Sequence, residues 1–154
     1  MELSDIISVD AVRAPVKATS KKRLLQDLAD IAEQVYKLPS ATVYKALMDR
    51  EALGPTGVGR GVAIPHARFA GVSHVIGLFA RLEKPVDFES VDRQPVDLVF
   101  ALFAPETAGA EHLKALARVS RTLRSEAVCA KLRSTFDPSA IYAILTDGKA
   151  EQAA

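Results

Sequence analysis

The chain has 154 residues, 49% hydrophobic and 25% charged, with a formal net charge of +1. That size and balance suit one compact domain with a real core and give no basic surplus for nucleic acid or a membrane surface. A single cysteine, Cys129, excludes an internal disulfide, and no apolar run approaches the length of a membrane span. The opening segment MELSDIISVDAVR lacks the basic start of a signal peptide, so a cytoplasmic location is expected.

The first predicted element is a helix over residues 20–37. Ser20 serves as its N-cap, and Leu24, Leu28, Ile31 and Val35 fall on one helical stripe. The basic run SKKR at 20–23 reads as a solvated helix start. After LPS, Ser40 is placed to cap a second helix that runs to about Leu53, with Gly54 as its stop. Val43, Leu47 and Arg50 share a face of that helix. A guanidinium on an apolar stripe calls for an anionic partner, and its planar fork suits phosphoryl oxygens; the alternative is a cation favoured by the dipole at the helix C-terminus.

A glycine-rich segment follows, GVGRGVAIPHARF, residues 57–69. Pro65 cannot donate a ladder hydrogen bond, so a strand over Val62–Ile64 should end there or lie at an edge. Two apolar runs, 75–82 and 96–103, have strand length. The second is nearly continuous in apolar character, as in a strand covered on both faces. Residues 83–95, polar and with two prolines, read as a loop. A helix is expected from Ala110 to about Leu123, with Leu113, Leu116, Ala117 and Leu123 on its stripe. Ser125 caps a further helical stretch with Val128 and Leu132. Asp137 and Pro138 form an N-cap and N1 pair for a last helix carrying Ile141, Ile144 and Leu145. The order predicts an α+β fold: a three-layer α/β/α sandwich with a mixed central sheet flanked by helices on both faces. It spans residues 1–148 as one domain, and 149–154 form a small, polar tail expected to be disordered.

The glycine segment fails as a nucleotide loop. After Gly59 come Arg60 and Gly61 where a P-loop needs Lys and Ser or Thr. It also fails as a dinucleotide fingerprint, because it leads into an extended stretch and not a helix. His66, His74, His112 and Cys129 show no metal-ligand spacing, so no metal site is expected. His66 follows a proline at a strand end. A mostly neutral imidazole there suits nucleophilic attack, or else a plain surface turn. His112 falls in the first turn of its helix, where free backbone N–H groups can bind an anion and disfavour an imidazolium, or else it is a partly buried histidine bordering the stripe of Leu113 and Leu116. His74 reads as a loop residue without a role.

The segments MDREALGPTGVGRGVAIPHAR, PVDLVFALFAPE and EHLKALARVSRTLR together resemble the enzyme IIA domains of the phosphoenolpyruvate-dependent phosphotransferase system. The likeness is to the fructose/mannitol class over roughly residues 3–147. The opening LSDIISVDAV, leading to SKKRLLQDLA, is similar to the nitrogen-regulatory branch. The resemblance implies that His66 accepts a phosphoryl group, as a tele-phosphohistidine, from a histidine-phosphocarrier protein. It implies that His112 and Arg50 stabilise the phosphoryl oxygens, with Gly59, Gly61 and Pro65 in the site loop. It implies a mixed sheet between helices and no cofactor. It further implies a regulatory phosphocarrier acting on partners such as potassium-transport or sensor-kinase components. A sugar-specific enzyme IIA that hands its phosphoryl group to a permease-linked IIB domain is the alternative. Two positions depart from the family's usual pattern. Arg60 stands where a smaller residue, often asparagine, is common, and Ala67 where glycine is frequent.

Overall fold

The computed structural model describes residues 1–147; the expected tail lies outside them. Two short 3-10 turns, Leu3–Asp5 and Val9–Ala11, lead into β1 (Val12–Val16), α1 (Lys21–Tyr36) and α2 (Ser40–Ala52). Then come β2 (Gly57–Gly59), β3 (Val62–Ala63), β4 (His66–Arg68), β5 (Ile76–Val86) and β6 (Val96–Ala104). Three helices close the fold: α3 (Gly109–Arg124), α4 (Glu126–Arg133) and α5 (Pro138–Thr146).

The sheet order is β1-β5-β6-β3-β2, with β4 also paired to β6. β5 and β6 are antiparallel, while β1 runs parallel to β5, and β3 and β4 run parallel to β6. The sheet is therefore mixed. α1 and α2 pack together in one layer, and α3, α4 and α5 in the other, giving the three-layer arrangement. The central strand β6 is buried along nearly its whole length, so its continuous apolar run reflects cover on both faces.

Three caps form as expected. Ser20 accepts from the Arg23 N–H at 3.1 Å, Ser125 from Val128 at 3.2 Å and Asp137 from Ser139 at 3.1 Å. Ser40 does not cap. It is the first helical residue, Pro39 holds the N-cap position, and the Ser40 N–H donates to Glu33 Oε1 at 3.3 Å.

The expected loop over 83–95 is shorter than predicted, because β5 continues to Val86. Pro85 is tolerated there because β1 pairs with β5 only as far as Leu82, and the β5–β6 register is irregular between Arg81 and Val86. β1 escaped prediction altogether. Arg13 and Pro15 break its alternation, which an edge strand permits.

Pro65 does not end the pairing with β6. Val62 pairs with Leu98 and His66 with Leu102 in the same register. The Pro65 carbonyl accepts from the Leu102 N–H at 2.9 Å, so the chain resumes as β4 after losing one donor.

Candidate functional site

α2, β4 and α3 converge beside the C-terminal ends of the parallel strands. Arg50 comes from the last turn of α2, His66 and Arg68 from β4, and His112 from the first turns of α3. They line an open cleft of about 530 Å³ with Leu53, Leu113 and Leu116. Period-two alternation puts His66 and Arg68 on one face of β4, while Ala67 between them is buried in the core.

The hydrogen bonds fix both imidazole tautomers. His66 Nδ1 lies 2.8 Å from the Ile64 carbonyl oxygen. A carbonyl only accepts, so Nδ1 carries the proton and donates. His66 Nε2 then bears the lone pair, and Arg50 Nε–H donates to it at 3.3 Å. Arg50 is steadied by a second bond, from Nη1 to the Gly54 carbonyl at 3.0 Å. In His112 the roles are reversed. Arg68 Nε–H donates to His112 Nδ1 at 2.8 Å, so the proton sits on Nε2. That buried Nε2–H has no hydrogen-bond partner among the described residues. The two rings pack edge to face with centroids 5.5 Å apart.

Both rings are held neutral. Burial pushes His66 below its ordinary pKa, and Arg50 and Arg68 add to the effect; the Ile64 carbonyl and Glu51 oppose it. Burial pushes His112 down to about 4, helped by His66 and Arg68. The result is one unprotonated nitrogen at a cleft and one buried N–H donor in the neighbouring ring, bordered by two guanidinium groups. Such a set can attack an electrophilic phosphorus and hold the oxygens that surround it.

The structure brings together His66, His112 and Arg50, all three singled out in the sequence. It does not bring in the glycines. Gly59, Arg60 and Gly61 have φ of 104°, 56° and 80°, and Arg60 and Gly61 form the two-residue turn between β2 and β3. That turn is held by Asp92, Asp97 and Arg133, away from the histidine cleft. Arg60 itself is left-handed, a conformation that asparagine adopts more readily than arginine. Pro65 acts through the backbone beside His66 and does not line the cleft. Ala108, the N-cap of α3, and Glu111 in its first turn border a separate cleft with Ile6, Ser73 and His74. Arg68 was missed in the sequence. Its position two residues past His66 in an extended segment was the signal.

The family model for the phosphoenolpyruvate-dependent sugar phosphotransferase system, EIIA 2, matches residues 5–148. A nitrogen regulatory protein of Bradyrhizobium diazoefficiens is 49% identical over 145 residues, covering 94% of this chain and 95% of that protein. The crystal structure of nitrogen regulatory protein IIA-Ntr from Neisseria meningitidis has a TM-score of 0.88 at 36% identity, covering 94% of this chain and 99% of that one. The mannitol IIA of Escherichia coli shares the fold, with a TM-score of 0.76 at 21% identity over 90% of this chain and 97% of that one. A family match over almost every described residue, together with a relative sharing nearly half its sequence, places the descent: the chain belongs to the type 2 enzyme IIA family of the phosphoenolpyruvate-dependent sugar phosphotransferase system.

Proposed function

We propose that this chain is a nitrogen-regulatory enzyme IIA. In this reading His66 Nε2 takes a phosphoryl group from a histidine-phosphocarrier protein, and the two phosphorylation states engage partner proteins differently. The observation that carries the reading is the hydrogen-bonded tautomer of His66, which leaves Nε2 unprotonated at the cleft. The names of the relatives support the regulatory branch. Regulated partners of the potassium-transport or sensor-kinase type remain part of the proposal.

Transfer begins with Nε2 attacking phosphorus in line with the donor's N–P bond. The new N–P bond forms on His66 as the old one breaks, and the donor imidazole takes back its electron pair. His66 keeps its Nδ1 proton throughout. The Ile64 carbonyl faces that proton and stabilises the positive charge that develops on the ring. Arg50 Nε–H, displaced from the lone pair, turns to a phosphoryl oxygen, and the buried His112 Nε2–H donates to another. The added charge of about −1.5 to −2 then alters the partner surface that the cleft complements.

The test is intact mass after incubation with phosphoenolpyruvate, the first enzyme of the system and the phosphocarrier. One acid-labile phosphoryl group is expected on the wild type and none on His66→Gln. An unmodified wild-type chain, with a donor active on another acceptor, would sink the reading.

A further inference from the structure

The bonds that fix His66 continue behind the cleft. Glu51 follows Arg50 in α2, but its side chain turns away from the cleft and is only 6% exposed. Its Oε1 accepts the Thr56 backbone N–H at 3.2 Å, and its Oε2 accepts the Thr56 hydroxyl. Lys21, at the start of α1, neutralises the carboxylate at 3.0 Å and lies over the Phe88 ring. Thr56 is itself buried, and its carbonyl accepts the Ile64 N–H at 2.9 Å. Ile64 then presents its own carbonyl to His66 Nδ1 at 2.8 Å.

One carboxylate thus grips Thr56 by both of its donors, and Thr56 grips the residue that sets the histidine tautomer. The neutral ring has two tautomers, and only the one protonated at Nδ1 leaves Nε2 free to attack. An Ile64 carbonyl that drifts from Nδ1 releases that choice.

We propose that Glu51 is a positioning residue for the acceptor histidine: through Thr56 and the Ile64 backbone it holds His66 in the tautomer whose Nε2 is nucleophilic. The proposal rests on the reading of His66 as phosphoryl acceptor. Glu51 touches neither the phosphoryl group nor the ring. Its negative charge also favours the ring's developing positive charge during transfer.

The experiment uses the full chain as wild type, Glu51→Gln, Thr56→Val and Thr56→Ser. The imidazole ¹⁵N shifts of His66 are read by NMR, and the rate of phosphoryl uptake is measured against phosphocarrier concentration. In the wild type Nδ1 is protonated and Nε2 is not. In Glu51→Gln an amide N–H₂ opposes one of the Thr56 donors, and in Thr56→Val the hydroxyl donor is gone. Both should raise the fraction protonated at Nε2. Both should lower the maximal uptake rate about five-fold, the effect of losing one ordinary hydrogen bond, with no change in KM for the phosphocarrier. Thr56→Ser keeps the hydroxyl and should restore both readouts. Should Thr56→Val fail to fold, Glu51→Gln carries the same comparison. A His66 ring equally protonated at Nδ1 in the folded variants overturns the proposal, whatever the rates do. A tautomer shift alongside a wild type that takes up no phosphoryl group overturns the acceptor reading and leaves the brace standing.

Discussion

His66 and His112 lie close enough that two imidazolium ions would repel, and Arg50 and Arg68 already crowd the pair with positive charge. Neutrality is the state this arrangement selects, and it has a consequence for pH. His66 sits below its ordinary pKa of 6.5, chiefly through burial. A depressed histidine pKa keeps the ring unprotonated, and so nucleophilic, down to a lower pH than a free histidine allows. Phosphoryl uptake that depends on this ring should therefore fall off at a lower pH than the protonation of a free histidine would set. The His66 ring protons, followed by NMR, should titrate with a midpoint below 6.5 that coincides with the decline in rate. A ring midpoint at or above 6.5 would contradict the electrostatic account. His112, pushed down to about 4, should stay neutral across the whole range and keep its Nε2–H as a donor.

At the level of elements, the turn between β2 and β3 is built around glycine. At Gly61 the φ is +80°, and an added Cβ would lie 2.5 Å from Arg133 Nη2 and 3.0 Å from Asp97 Oδ1. Those two atoms belong to a guanidinium–carboxylate pair, and the Arg133 guanidinium also donates to the Arg60 carbonyl. Gly61→Ala should therefore destabilise the fold by about 2 kcal/mol, combining left-handed strain with a disturbed ion pair. A Cβ added at Gly109, in the first turn of α3, would meet nothing within 4 Å among the described residues beyond its own helix. Gly109→Ala should be neutral or stabilise by up to about 0.5–1 kcal/mol. Urea denaturation of the two variants against wild type separates the cases, and equal midpoints would refute the argument. The same turn shows where the sequence was incomplete. The residues alone exclude a nucleotide loop there, but only tertiary pairing shows that the segment is a hairpin turn. α3 gives a second example. The periodicity puts Leu113 and Leu116 on its stripe, yet the buried face carries His112, Ala115, Arg118, Val119, Thr122 and Leu123. The true stripe is rotated by about one residue, because a histidine and a small alanine occupy its inward positions and carry little hydrophobic signal. The strands of β6 and the capped helices were legible because one property dominated each. β1 and the end of β5 were not, because proline is acceptable only where a neighbouring strand is missing.

Across the whole molecule, that rotation has a purpose at the cleft. Turning His112 inward turns Leu113 outward, where it is 63% exposed, and Leu53 at the end of α2 is 84% exposed. The two leucines line the His66 cleft from opposite helical layers, joined by the half-buried Leu116. Scattered exposed leucines need no explanation, but leucines grouped at a reactive nitrogen create an apolar rim around a charged centre. In the proposed relay a macromolecular donor seats on that rim before transfer, whereas the chemistry uses the nitrogens and guanidiniums inside it. Binding and chemistry should therefore separate by mutation. Leu53→Ser and Leu113→Ser should each raise KM for the phosphorylated donor about ten-fold, consistent with a rim side chain contributing about 1.4 kcal/mol to docking. The maximal rate should stay near that of wild type. Neither substitution should change stability by more than about 0.5 kcal/mol, because the side chains it removes already face water. Steady-state uptake at varied donor concentration, with thermal unfolding as the control, reads both quantities. A fall in maximal rate at unchanged KM would mean that the leucines shape the reacting centre, and that the donor docks on another face.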